Sequence, residues 1–345
     1  MKRTVFKFLA LLMLPISVTL VFGDKLCESA ENLGTFNLYF ENDCFADADQ
    51  GYTNGVKLSW ISPDLTDYAK SGRLPGWSLP LIRRLPFINE PGLQRNVALS
   101  IGQNIYTPKD LSRASLIEDD RPYAGWTYFG IGLHSKNECR LDSMEIQLGM
   151  VGPASFAEQT QKFVHNQDLN GWDNQIKNEP GIALVYERKG RYLYSGDVGE
   201  FGFDLIPHLG GALGNVYTYA NAGMEARLGW NIPRDFGTSL IRPSGDSNSP
   251  LNSQENNVSR DQGFGLYVFA TSDGRAVLRD IFLDGNTFTD SHSVDKKHFV
   301  ADLGLGIGLS IHRLKLCYTH VLRTKEFTGQ EDNKVFGSLI LSFTY

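Results

Sequence analysis

The sequence predicts an all-β protein, a transmembrane antiparallel β-barrel of about twelve strands with a short helix in an extracellular loop. Three observations predict it. The chain opens on an export-type leader, it then alternates apolar and polar residues in runs of ten or so, and it stops on an aromatic inside such a run.

The leader is read from charge and length. Lys2, Arg3 and Lys7 make a basic start, Phe8 to Phe22 an apolar core, and Gly23 with Val21 a small-residue cleavage site. Residues 1–23 therefore read as a signal peptide and 24–345 as the barrel. No other stretch approaches the twenty or so consecutive apolar residues that a spanning helix needs, which excludes a helical membrane protein. The formal net charge of −6 argues against nucleic acid as a partner. Cys27, Cys44, Cys139 and Cys317 fit neither a C-x-x-C nor a zinc pattern; in an oxidising compartment they could form up to two disulfides, with the pairing open.

The alternating runs are 35–43, 55–62, 96–106, 125–137, 139–152, 181–193, 201–214, 218–231, 264–280, 296–312, 313–324 and 336–345. Most have the length that a tilted strand needs to cross a bilayer, whereas a soluble sandwich favours about five or six residues. In "GVKLSW", Val56, Leu58 and Trp60 oppose Lys57 and Ser59; in the last run Leu339, Leu341, Phe343 and Tyr345 oppose Ser338, Ser342 and Thr344. With both termini on the periplasmic side, 44–54, 107–124, 153–180, 215–217, 281–295 and 325–335 open outward. Segments 63–95 and 232–263 fall at the periplasmic end and are long for that side; "LPGWSLPLIRRLPFI" in the first could lie against the inner leaflet.

Three outward segments carry chemistry. In "FENDCFADADQGYTNGVKLSW", parity turns Asp43, Thr53 and Lys57 inward, and the crowd of carboxylate, amide and hydroxyl oxygens suits a hard cation such as calcium. The spacing is not that of an EF-hand, so a metal site would be assembled from several loops; a polar turn is the plainer reading. Segment 153–180 is the clear helix candidate, opened by a Ser155-x-x-Glu158 capping box. Helical spacing puts Phe156 and Phe163 on one face and Glu158, Gln161 and His165 on the other, where a neutral imidazole could act as general base. Segment 107–124 brings Lys109, Arg113 and Arg121 to the same rim, and guanidinium groups suit phosphate; solvated loop charges are the plainer reading. No G-x-S-x-G elbow supplies a serine nucleophile, and "GLGIGLS" lies within a strand.

Together these segments resemble one family, the outer-membrane lipid A 3′-O-deacylases of the LpxR type. The matching pieces are "END" at 41–43 with "YTNG" at 52–55, "QNIYTP" at 103–108 leading to "DRPYAGW" at 120–126, and "GPASFAEQTQKFVH" at 152–165 followed by "GWDNQIKNE". The resemblance implies a twelve-stranded barrel that removes the 3′-linked acyloxyacyl group of lipid A by calcium-dependent ester hydrolysis near the outer rim. It implies catalytic roles for Asn42, Asp43, Thr53, Gln161 and His165, with His165 activating water and Asp43 holding calcium. Arg113, Lys109 and Arg121 are the candidates to bind lipopolysaccharide phosphate, although the family's basic pair has no clean counterpart here. The expected protein is a monomer in the outer membrane. Two readings stand beside it: a phospholipase-type esterase on the same scaffold, and a porin- or adhesin-like barrel without catalysis.

Overall fold

The computed structural model describes residues 33–43, 51–65, 67–68, 76–85, 90–164, 169–195, 201–241 and 263–345. The strands are β1 (Thr35–Asn42), β2 (Gly51–Ile61), β3 (Gln94–Thr107), β4 (Ala124–Lys136), β5 (Arg140–Val151), β6 (Glu179–Gly190), β7 (Tyr192–Ser195), β8 (Phe201–Gly214), β9 (Tyr217–Trp230), β10 (Phe264–Asp280), β11 (Phe299–Ile311), β12 (Leu314–Arg323) and β13 (Lys334–Thr344). Each pairs antiparallel with its sequence neighbour, except that β6 pairs β8 and not β7, and β1 closes on β13. The four-residue β7 continues β6 along β8 in the same register after a break at Arg191, so the thirteen segments form a closed barrel of twelve strands. Closure leaves no unpaired strand edge, as a lipid environment requires.

Alternation sorts the side chains. On β1, Thr35, Asn37, Tyr39 and Glu41 are buried in the lumen, while Phe36 is exposed on the outside. On β4 and β5, Phe129, Ile131, Ile146 and Leu148 are exposed on the outer wall, while Tyr128, Glu145 and Gln147 face in. Lys57 follows the expected parity: it is buried in the lumen, its Nζ 5.5 Å from the Tyr39 ring centroid.

The lumen is packed. From the end that carries the chain termini, residues 231–241 fold inward. Arg227 donates to Asp204 Oδ1 at 2.8 Å and to Asp235 Oδ1 at 2.6 Å, and Glu225 Oε2 accepts from Thr238 N at 2.9 Å. Ile241 N donates to Glu41 Oε1 at 2.7 Å, and Ile241 joins an apolar cluster with Tyr39, Tyr267, Phe269 and Ile340. At the opposite end a single helical turn, Ile281–Asp284, drops Phe282 into the lumen, stacked on Tyr106 with centroids 4.1 Å apart. Asp280 caps that turn by accepting from Phe282 N.

Two sequence expectations change. The helix runs Ala157–Val164, two residues after the expected capping box, which does not form. Ser155 instead sits in a 3-10 turn, Pro153–Ser155, and its Oγ donates to the Gly152 carbonyl at 2.6 Å. Glu158 pairs with Lys162 one turn on at 2.5 Å. Cys139 and Cys317 are free thiols, one exposed and one buried; Cys27 and Cys44 lie outside the described residues, as do 1–23.

Candidate active site on the outer wall

Strand register brings the motif segments into one row. Asn42 of β1 pairs with Asn54 of β2, Asn54 with Ile105 of β3, and Ile105 with Gly125 of β4. These positions continue the outward faces of their strands, alternating with lumenal Glu41, Asn104 and Tyr106. Neighbouring strands are about 4.8 Å apart, so Asn42 stands about 10 Å along the wall from Ile105. Yet Asn42, Asn54 and Ile105 are buried, at 1%, 3% and 1% exposure. An outer-wall row this deeply covered marks a built site, since the rows nearer mid-barrel are open.

The cover over Ile105 is the helix Ala157–Val164 and the strand-linking segments beside it. Ile105, Tyr123, Ala157, Leu169 and Trp172 form one buried apolar cluster. Gly125 lets the helix lie flat: a Cβ there would stand 2.1 Å from Ala157 Cβ and 2.2 Å from Ser155 Oγ. Outward Gln103 and Thr127 both donate to the Ser155 carbonyl, at 2.7 and 2.6 Å. Phe156 bridges the 3-10 turn and the helix in the left-handed region, φ 57°, a conformation rare for a bulky residue. Phe156 and Phe163 are exposed, as the helical spacing predicts, and face away from the barrel core.

Gln161 is on the opposite, covered face. It is 1% exposed, and its Oε1 accepts from Trp172 Nε1 at 2.8 Å. Its Nε2 has no partner among the described residues. His165 follows the helix by one residue and lies outside the described residues. Asp43 continues β1 past Asn42 and is 1% exposed. Thr53, described by its backbone, sits at a bulge where the β2–β3 register shifts between Tyr52 and Asn54.

Sequence reasoning missed Asn54. It pairs with Asn42 across β1–β2, and its Oδ1 has no hydrogen-bond partner among the described residues. The signal was present in "YTNG", since parity puts Asn54 on the same face as Val56 and Leu58. The oxygens gathered here are of the kind calcium takes: Asn54 Oδ1, without a partner among the described residues, and the buried carboxylate of Asp43, which follows Asn42. Among the described residues no three His, Cys, Asp or Glu side chains gather to hold a metal, so amide oxygens would have to share the task.

The basic candidates separate. Arg121 is 1% exposed, its Nη2 2.9 Å from Glu326 Oε2 and its guanidinium over the rings of Tyr106 and Phe327. It ties two rim loops together at the lumen mouth. Burial pulls the Glu326 carboxyl up, but Arg121, Lys334 and Arg323 outweigh it and hold it well below the usual carboxylate range. Lys109 is paired with Glu331, whose hydrogen bond raises its pKa. Arg113 is exposed, and its Nε donates to Ser115 Oγ at 3.0 Å. Its loop is stitched to the segment after the helix: Asn170 N donates to Leu111 O at 3.2 Å and Asn174 Nδ2 to Ala114 O at 2.8 Å. The loop of Arg113 is therefore held against the segment 170–174.

A closed twelve-stranded antiparallel barrel with an exposed apolar outer wall defines the outer-membrane β-barrel class. The family model described as outer membrane protein LpxR matches residues 8–345, and the chain belongs to that family. Among solved structures, LpxR from Salmonella typhimurium superposes with a TM-score of 0.67 at 17% identity, covering 90% of this chain and 99% of that one. The β domain of the Bordetella autotransporter BrkA aligns over 91% of this chain and 100% of that one at 8% identity, with a TM-score of 0.43, too low to carry an argument. Curated protein sequences give no match.

Proposed function

We propose that this protein is a lipid A 3′-O-deacylase that hydrolyses the ester of the 3′-acyloxyacyl group of lipid A from the outer wall of its barrel. Family membership supports an outer-membrane lipid A deacylase. The observation that carries the site assignment is the Asn42–Asn54–Ile105–Gly125 row with the helix Ala157–Val164 seated on it. A lipid substrate approaches laterally, and its acyl chains can stay in the hydrocarbon layer beside exposed Phe156 and Phe163.

His165 is the general base: it takes a proton from water as the water oxygen bonds to the ester carbonyl carbon, then returns that proton to the sugar oxygen as its bond to the acyl carbon breaks, giving the sugar hydroxyl and the acyl carboxylic acid, which ionises in water. Gln161, one turn before it, is held by Trp172 and orients the imidazole or the water. Asn42 and Thr53 donate or accept hydrogen bonds at the carbonyl and water. Asp43, with the Asn54 oxygen, would hold calcium, which supplies electrostatic stabilisation to the developing oxyanion when bound. Arg113 contacts a lipid A phosphate, with Lys109 on the same loop able to assist once released from Glu331.

The packed lumen speaks against a porin, because Phe282 at one end and residues 231–241 at the other occupy the space a water channel needs. The phospholipase-type reading is separated by assay. Purified protein in detergent should release fatty acid from lipid A in the presence of calcium and leave phosphatidylethanolamine intact. Chelation should abolish release while the barrel keeps its heat-modifiable gel mobility. Cleavage of the phospholipid at a comparable rate would shift the assignment to a phospholipase, and activity that survives exhaustive chelation would remove calcium from it.

A further inference from the structure

We infer that residues 76–85 form an interfacial anchor that holds anionic phospholipid headgroups against the barrel wall, at the end opposite the candidate active site. The inference rests on the barrel spanning a membrane and not on the reaction it performs.

Position comes from strand register. On the outer wall, Val97 of β3 pairs with Leu133 of β4, and Leu133 with Met144 of β5. Ile82, with Leu65 and Tyr68, forms a buried cluster on Val97, and Leu85, Leu133 and Met144 pack against it. The segment therefore lies outside the barrel. The next outward row toward mid-barrel is Leu99–Ile131–Ile146–Leu184, all exposed and apolar. The next row toward the chain termini is Arg95–Ser135–Asp142–Arg188, which is polar. Hydrocarbon meets water between those two rows, at the level of the Val97 row that residues 76–85 cover.

Composition then names the occupant. Trp77 is 76% exposed, in the setting where indole rings favour the headgroup layer. Arg83 and Arg84 follow the helical turn Leu79–Ile82, are both exposed, and make no ion pair among the described residues. Residues 63–95 carry five Lys and Arg against three Asp and Glu, in a chain of net charge −6. An exposed indole beside two exposed guanidinium groups at a membrane interface suits the phosphate of an anionic phospholipid.

The test uses the full chain reconstituted in phosphatidylethanolamine bilayers with spin-labelled phosphatidylglycerol, and measures the protein-immobilised lipid fraction against labelled phosphatidylethanolamine. The wild type should prefer phosphatidylglycerol several-fold. An Arg83→Gln/Arg84→Gln variant should lose about fivefold or more of that preference, given about 1 kcal/mol per basic residue near a charged surface. Trp77→Ser should weaken immobilisation of both lipids. Arg84→Gln alone serves if the double variant does not fold, as judged by heat-modifiable mobility. An unchanged preference in the arginine variants, or displacement of the labelled lipid only by lipopolysaccharide, would overturn the inference. Deacylation in detergent, measured on the same samples, reports separately on the catalytic assignment.

Discussion

Asn42 and Asn54 illustrate how much depends on single side chains. Each sits on an outward strand face where lipid-facing barrels carry Leu or Phe, and each is buried. A buried polar atom left without a hydrogen bond costs about 1–3 kcal/mol, so the retention of Asn54, whose Oδ1 has no partner among the described residues, points to a ligand. We predict that Asn54→Leu leaves the barrel as stable as the wild type or more so, while lowering the deacylation rate at least tenfold. Equal rates would remove Asn54 from the site. Gln161→Leu, which leaves Trp172 Nε1 without its acceptor, should cost about 1 kcal/mol and reduce turnover. At this scale the sequence was partly legible: residue types and spacing singled out Asn42, Asp43 and Gln161. They did not mark Arg121 as buried, because strand parity ends at the rim and cannot tell the outer wall from the lumen mouth.

At the level of elements, the helix Ala157–Val164 owes its place to Gly125 more than to its own start. The Ser155-x-x-Glu158 spacing reads as a capping box, but Gln103 and Thr127 grip the Ser155 carbonyl and turn the chain before the helix begins. Local pattern therefore marked the helix and missed its first residues, since a tertiary contact won over the local one. The long strands were legible for the opposite reason: period two persists over their whole length, and the run 181–193 even reaches into β7, which continues β6. Gly125→Val should dislodge the helix, with its Cβ arriving about where Ala157 Cβ and Ser155 Oγ already are. The expected result is a folded barrel without deacylase activity. Retained activity in a folded Gly125→Val protein would show that the helix does not need this seat.

For the whole molecule, the rim is locked by buried charge. Glu326 meets Arg121 at 2.9 Å and Lys334 at 3.2 Å. Its carboxyl is held below the ordinary range in the folded state, so its contribution to stability is complete above the unfolded value of about 4.3 and is lost as pH falls through the lower folded value. Denaturant titrations should be flat from neutrality to about pH 5 and decline below about pH 4. Glu326→Gln, which strands the cations, should cost about 3 kcal/mol at pH 7 and flatten the acid decline. A variant with the wild-type acid profile would place the acid sensitivity elsewhere. The pairing of distant loops through Arg121 and Glu326, 205 residues apart, is the level that no local sequence pattern encodes.

The most direct measurement is mass spectrometry of lipid A from cells that express the wild type, Asp43→Ala or His165→Ala, with matched outer-membrane levels. The wild type should yield lipid A lighter by the 3′-acyloxyacyl group, and either variant full-mass lipid A. Full-mass lipid A with the wild type in calcium-replete medium would contradict it, and so would loss of the group with His165→Ala.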